Sequence, residues 1–207
     1  MHMPLSTTSC TAAPALGFLD GLTLARARAH EFCGPARRSL ALFVARALSG
    51  PVIWIVPAHA RDRLHGQGVA SLIDPGRLLL VAPRRPEDLL WSMEESLRAG
   101  CSPLVLCELP APPGLTPVRR LHLAAETAVR EKGQHPLGLL LIPGDGGAPG
   151  VESRWHLSPT RSGWRLERRR ARTQPPMAWD ISAEAEKGEI GKIVPTPRQD
   201  VVNLRHF

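Results

Sequence analysis

Lysine is nearly missing from this chain. It occurs only at Lys132, Lys187 and Lys192, so almost all of the 26 basic residues are arginine and the net charge of +7 rests on guanidinium groups. A basic chain of this kind suits a nucleic acid or an acidic partner. Long apolar runs are missing too, and no membrane-spanning helix is expected. Residues 1–15 show no basic patch followed by an apolar stretch, so a secretory leader is not expected and a cytoplasmic location is. The cysteines Cys10, Cys33, Cys101 and Cys107 form no CxxC pair, which argues against zinc. Cys33 and Cys107 lie in apolar, strand-like runs and are expected as buried, reduced thiols. His59 and His65 lack a third ligand at metal-binding spacing.

What is present is enough for one domain. The chain has 207 residues and an ordinary apolar fraction of 43%, sufficient for a real core. Residues 1–15 are rich in Ser, Thr, Ala and Pro and are expected to fray. Five runs then read as strands: His30–Cys33, Val52–Val56, Leu78–Val81, Leu104–Cys107 and Leu137–Ile142. The last four are continuous apolar segments, as in strands buried on both faces. Helical patterns alternate with them. Leu40, Phe43, Val44, Ala47 and Leu48 share one face of a helix over Ala36–Leu48, stopped by Gly50-Pro51. A weak helix over Leu64–Leu72 is interrupted by Gly66 and Gly68. Pro86-Glu87-Asp88 opens a helix to Ala99, with its acids at the positive end and Gly100 as its stop. Thr116-Pro117 starts another to about Lys132, with Leu121, Ala124, Ala125 and Ala128 inside.

After a glycine-rich loop over Gly144–Gly150, expected to be flexible, the period changes. Trp155 and Leu157, then Trp164 and Leu166, alternate with polar residues around a turn, giving a hairpin with one covered face. Met177–Ile181 adds a strand. From Ser182 the chain is polar and punctuated by Gly and Pro, which reads as a tail over 182–207. The expected fold is α/β: a mostly parallel sheet flanked by helices, with an antiparallel C-terminal extension.

The segment His30-Glu31-Phe32-Cys33-Gly34-Pro35-Ala36-Arg37-Arg38-Ser39 has the frame of a phosphate-binding strand–loop–helix without its phosphate-binding part. A working loop reads Gly, four residues, Gly, Lys, then Ser or Thr. Gly34 opens the loop and Ser39 takes the hydroxyl position. The second Gly and the Lys are absent, and the loop is two residues short. It is too tight to wrap backbone N–H groups around a triphosphate. Glu108 has two readings: a Mg²⁺ holder at a nucleotide phosphate, or a carboxylate hydrogen-bonded at the sheet rim. Arg37 and Arg38 either replace the lost Lys at an anion site or solvate a helix start. Ser39, His59 and Asp62 have the residue types of a nucleophile set, but no nucleophile elbow surrounds Ser39.

Two further segments are candidate binding sites. Arg165, Arg168, Arg169, Arg170 and Arg172 form the densest basic run and are candidate DNA-phosphate contacts; the alternative is a charged edge that resists aggregation. The tryptophans Trp54, Trp91, Trp155, Trp164 and Trp179 suit base stacking or, for most of them, a core. The ending Asn203-Leu204-Arg205-His206-Phe207 partly matches the Gln-Leu-x-Leu-Phe peptides that dock on bacterial sliding clamps, which marks Leu204 and Phe207 as candidate partner contacts.

In order and spacing these strings resemble the RecA superfamily over about Leu16–Ile181. More closely, they resemble the ImuA-type proteins of bacterial damage-induced mutagenesis. Phe18-Leu19-Asp20 and His30–Pro35 are similar to the RecA lead-in and its E-I-Y-G-P strand. Ala58-His59-Ala60-Arg61-Asp62 is similar to the E-H-A-L-D segment, with Ala58 where the catalytic glutamate would stand. Leu89–Gly100 and Leu104–Leu109 resemble the following helix and the Walker B strand, with Glu108 in place of aspartate. Leu90–Gly100 and Glu108-Leu109-Pro110 are typical of ImuA-like sequences. The stretch that would hold the first DNA-binding loop is cut to Pro110–Leu115, and the second loop corresponds to Gly144–Gly150.

The resemblance implies a RecA-like domain over 16–181, with Gly34, Arg38, Ser39 and Glu108 as a degenerate nucleotide site. It implies no catalytic residue and no cofactor. It further implies a non-catalytic accessory protein of SOS-induced, error-prone translesion synthesis, nucleoid-associated on DNA damage. Its expected partners are an ImuB-like inactive Y-family polymerase homologue and an error-prone DNA polymerase III α-type subunit, with single-stranded DNA as a further candidate. Two alternatives stand beside this: a SulA-like cell-division inhibitor, itself a compact relative of the RecA fold, and a residual RecA-like ATPase.

Overall fold

The computed structural model describes residues 14–60, 64–183 and 190–196. The chain opens with a hairpin, β1 (Ala15–Leu19) and β2 (Leu22–Ala25), whose turn places Gly21 at φ +69°. Then come β3 (Ala29–Cys33), α1 (Arg37–Arg46), β4 (Val52–Ile55) and the short α2 (Gly66–Ala70). A 3₁₀ turn at Pro75–Arg77 leads into β5 (Leu78–Val81), α3 (Glu87–Ala99) and β6 (Leu104–Glu108). They are followed by α4 (Leu115–Lys132), β7 (Leu137–Ile142), β8 (Ser153–Thr160), β9 (Gly163–Ala171), β10 (Met177–Ala183) and β11 (Ile190–Pro195).

Nine strands form one sheet in the order β11-β10-β9-β8-β3-β7-β6-β4-β5. From β8 to β5 every neighbour is parallel, and from β8 to β11 every neighbour is antiparallel. The fold is therefore α/β, with a mostly parallel sheet flanked by helices and antiparallel strands toward the C-terminus. The continuous apolar runs fill the middle of the sheet because strands there are covered on both sides. On one face Leu40, Phe43 and Val44 of α1, Val69 of α2 and Leu24 of β2 pack on the sheet. On the other, Met93 and Leu97 of α3 and Leu121 and Ala125 of α4 do so.

Three expectations change, and one element was not expected. Leu78–Val81 is not a buried strand but the last one: among the described residues β5 has a neighbour on one side only, and Leu79 and Leu80 are exposed. An apolar run reports the side chains and not the number of neighbouring strands. The segment read as a tail from Ser182 contains β11, which pairs with β10 through Ile181↔Ile193 and Trp179↔Pro195. The β1–β2 hairpin, too short to show a period, buries Phe18, Leu19, Leu22 and Leu24 against α1 and β8. The Gly144–Gly150 loop, read as flexible from its composition, is tied down by side chains described below.

The parallel and antiparallel halves join at β3 and β8 through a polar thread in the core. The Trp155 indole N–H donates to Ser153 Oγ at 2.7 Å. Ser153 Oγ lies 2.6 Å from His30 Nδ1, and His30 Nε2 lies 2.9 Å from the Ala25 carbonyl. An indole only donates and a carbonyl only accepts. Nε2–H donates to Ala25, and with the imidazole neutral Nδ1 then accepts from the Ser153 hydroxyl. Burial is the chief cause that lowers the His30 pKa to about 4, against a smaller opposing effect of the Ala25 hydrogen bond.

Below pH 6.5 the unfolded histidine takes up a proton that the folded one refuses until about pH 4. Stability should thus fall as pH drops through that window, by about 3 kcal/mol in all. Burial lowers His122 and His156 with the same sign. Urea unfolding across the window should show this slope, and His30→Gln should remove most of it. A wild-type profile without a slope would mean that His30 titrates like a free imidazole.

Candidate functional site

Gly34 ends β3 at φ +88°, and a Cβ there would lie 2.6 Å from the Leu157 carbonyl oxygen and 2.7 Å from His156 Nε2. Only glycine fits so close an approach. The loop is folded down onto β8. The Gly34 N–H donates to the Gly144 carbonyl at 2.8 Å, and the Ala36 N–H donates to the Leu157 carbonyl at 3.1 Å. Arg37 Nη1 donates to the Gly34 carbonyl at 3.2 Å. Two N–H groups that a phosphate-binding loop would turn toward its ligand are thus spent on the protein itself.

Glu108 stands at the end of β6, 7% exposed. Its Oε1 accepts from Arg38 Nε and from Trp54 Nε1, each at 2.9 Å, and its Oε2 accepts from Arg38 Nη2 at 2.7 Å. The guanidinium fork and the indole take up the carboxylate, the geometry for which arginine is suited. The arrangement has the hydrogen bonds of a carboxylate held at the sheet rim, with Arg38 engaged by it. Ser39, partly buried on α1, completes the remnant, whereas Ala58 and His59 lie at the surface beyond β4. Asp62 lies outside the described residues, as do Leu204 and Phe207.

A second carboxylate went unnoticed in the sequence. Glu31, fully buried on β3, accepts from the Gly147 N–H at 2.6 Å, the Ala148 N–H at 3.1 Å and the Arg154 guanidinium. Gly146, at φ +72°, passes so close that a Cβ would lie 2.5 Å from Glu31 Oε1. Arg154 also donates to the Ala148 carbonyl at 3.0 Å. The glycine-rich loop is therefore wrapped around a buried charge. A glutamate inside an apolar strand was the available signal, but its partner is 123 positions away.

The arginine run divides. Arg168 is buried, its guanidinium over the rings of Trp155 and Trp179 at 5.5 and 5.2 Å, and it donates to the Pro175 carbonyl and to Gln174. It packs over two indoles and is the least exposed arginine of the run, which sets it apart from the expected DNA-phosphate contacts. Arg169 bonds Asp145 at 2.8 Å and Glu167 at 3.0 Å. Arg165 bonds Glu167 at 3.2 Å. Arg172 lies 3.5 Å from Glu152, and Arg170 is exposed. Register shifts between Arg154 and Trp155, so that Arg170 opposes one and Arg168 the other, leaving Arg169 as the extra residue of a bulge. Simple alternation fails there.

Both thiols in the core are held protonated. Burial, then the Glu31 charge, pushes Cys33 up to about 12, and burial likewise raises Cys107. Among the described residues no His/Cys/Asp/Glu cluster is placed to hold a metal ion, and no helix is long and apolar enough to cross a membrane.

No family model and no curated protein matches the chain. Among solved structures, SulA from Pseudomonas aeruginosa aligns at 19% identity with a TM-score of 0.44, over 56% of this chain and 98% of that one. A superposition at that level carries no argument about function.

Because Glu108 is nearly buried, removing its partner should be costly. Arg38→Ala should destabilise by about 2 kcal/mol, below the full effect for a buried pair because Arg38 is partly exposed. The melting temperature should fall by about 4–8 °C. In Glu108→Gln, Arg38→Ala should cost much less. Equal losses in both backgrounds would show that the pair contributes nothing.

Proposed function

We propose that this chain is a non-catalytic adaptor of SOS-induced, error-prone translesion synthesis that acts with an ImuB-like protein and an error-prone polymerase. The observation that carries it is the closed remnant loop. Gly34 and Ala36 direct their N–H groups into the protein, and Glu108 is taken up by Arg38 and Trp54. Such a site supports binding without nucleotide turnover. The kind of partner rests on the ImuA-like strings Leu90–Gly100 and Glu108-Leu109-Pro110.

DNA enters this reading through fewer arginines than the sequence offers. With Arg168 buried and Arg165 and Arg169 in short ion pairs, Arg170 and Arg172 are the members of the run best placed for phosphates. Binding should be independent of sequence and fall steeply with salt. Arg170→Ala with Arg172→Ala should lower the salt slope by about two, whereas Arg168→Ala should act on stability. An unchanged slope would leave the run as a solvated edge.

The purified chain should hydrolyse no ATP, with or without single-stranded DNA, and should co-purify with an ImuB-like protein encoded beside it. Deleting residues 197–207, which include Leu204 and Phe207, should weaken that complex and leave the melting temperature unchanged. Hydrolysis abolished by Glu108→Ala would restore the residual ATPase. Binding to a tubulin-like division protein in place of the ImuB-like one would favour a division inhibitor.

A further inference from the structure

Among the described residues the sheet ends at β5, without the features that usually protect an edge. Leu78-Leu79-Leu80-Val81 has no charge and no proline, and it pairs with β4 in unbroken register. Such an edge is a template for another strand. Leu79 and Leu80 are 51% and 59% exposed. Being consecutive in a strand, they point to opposite faces, so neither helix layer reaches over the edge. Leu78 packs against the core under α1, and Val81 against the core under α3. Leu80 therefore shares the first face and Leu79 the second. On the second face Trp91, 58% exposed, borders an open groove of about 500 Å³ with Val81, Ala82 and Pro83.

The inward hydrogen bonds fix which groups point outward. The Val81 carbonyl accepts from the Val56 N–H at 2.9 Å, and the Pro83 carbonyl from the Ala58 N–H at 3.3 Å. In a parallel pair the N–H and C=O of one residue point the same way. The odd-numbered residues therefore face β4, and Leu78 and Leu80 hold out the free groups of the strand.

We propose that this edge pairs with the same edge of a second copy, β5 antiparallel to β5 about a two-fold axis through Leu79. An axis normal to the sheet keeps the faces in place, so each residue must oppose one of its own parity. Centred on Leu79, Leu78 of each copy opposes Leu80 of the other, and every outward group within β5 finds a partner. The two Leu79 side chains then meet at the close, non-hydrogen-bonded position. Leu79, Leu80 and the flank of Trp91 are covered together.

The charges also match. Asp74 precedes the strand and Arg84-Arg85 follow it, all exposed. Arg77, between Asp74 and the strand, is turned away to the Gly50, Ala45 and Leu48 carbonyls, and antiparallel pairing centred on Leu79 brings Asp74 of each copy beside Arg84 of the other, twice by symmetry. A parallel partner would set like ends together.

Sedimentation equilibrium on the full chain should show a monomer–dimer equilibrium. Leu79→Lys sets two like charges on the axis and should weaken the dimer by more than about tenfold, without lowering the melting temperature of the dilute protomer. Arg84→Glu should weaken it as well, most at low salt. With Cys10 and Cys101 changed to Ser, Leu79→Cys should crosslink two chains on mild oxidation, because a two-fold pair at that position lies within disulfide reach. Leu80→Cys should not. A wild type that stays monomeric at every concentration, or a dimer indifferent to Leu79→Lys, would overturn the proposal. So would crosslinking by Leu80→Cys and not Leu79→Cys. A monomer that Leu79→Lys destabilises would also overturn it, since a segment of the same chain would then occupy the edge.

Discussion

A glutamate carboxylate sits in the middle of this sheet, at Glu31. Isolated there, a carboxylate would be prohibitively costly, because the interior returns little of what water supplies. Three sets of donors make it tolerable: Arg154 from β8, and the N–H groups of Gly147 and Ala148 from the loop after β7. The carboxylate thereby fixes three elements at once. It holds β8 beside β3, where the sheet changes from parallel to antiparallel, and it shapes the loop whose glycines let the backbone close around it.

The closed state of the remnant phosphate loop follows from that placement. Gly34 lies against His156 and Leu157 of β8, so the strand that Glu31 secures through Arg154 is the floor onto which the loop folds. On the other side of the loop Glu108 is held by Arg38 and Trp54. Arg38, Trp54 and Glu108 serve as struts between α1, β4 and β6. The pairing of Glu108 follows from its burial: a buried carboxylate needs a neighbour of opposite charge, and Arg38 on the first turn of α1 is within reach.

Much of the fold was legible because the parallel strands are covered on both faces and so read as unbroken apolar runs, as at Val52–Ile55 and Leu137–Ile142. The hairpin of β8 and β9 was legible through Trp155, Leu157 and Leu166, which alternate inward. What stayed hidden depended on neighbours. Nothing in Leu78–Val81 says that the sheet stops there, and nothing in Glu31 names Arg154. The arginine run misled for a related reason. Arg168, Arg169 and Arg170 are chemically identical in sequence, but one is buried over indoles, one is paired with Asp145 and Glu167, and one is exposed. A bulge at Arg169 shifts the alternation between them.

The scarcity of lysine has its structural counterpart in how the arginines are used. Arg38 grips Glu108 with two nitrogens, Arg154 spans a carboxylate and a backbone carbonyl, and Arg168 lies over two stacked indoles. Each role depends on a flat, forked cation, which an ammonium group does not supply. An exchange usually counted among the mildest in protein evolution is therefore closed at these three sites, while exposed positions such as Arg84 and Arg170 remain open to it. The chain is free to drift toward lysine only on its outside.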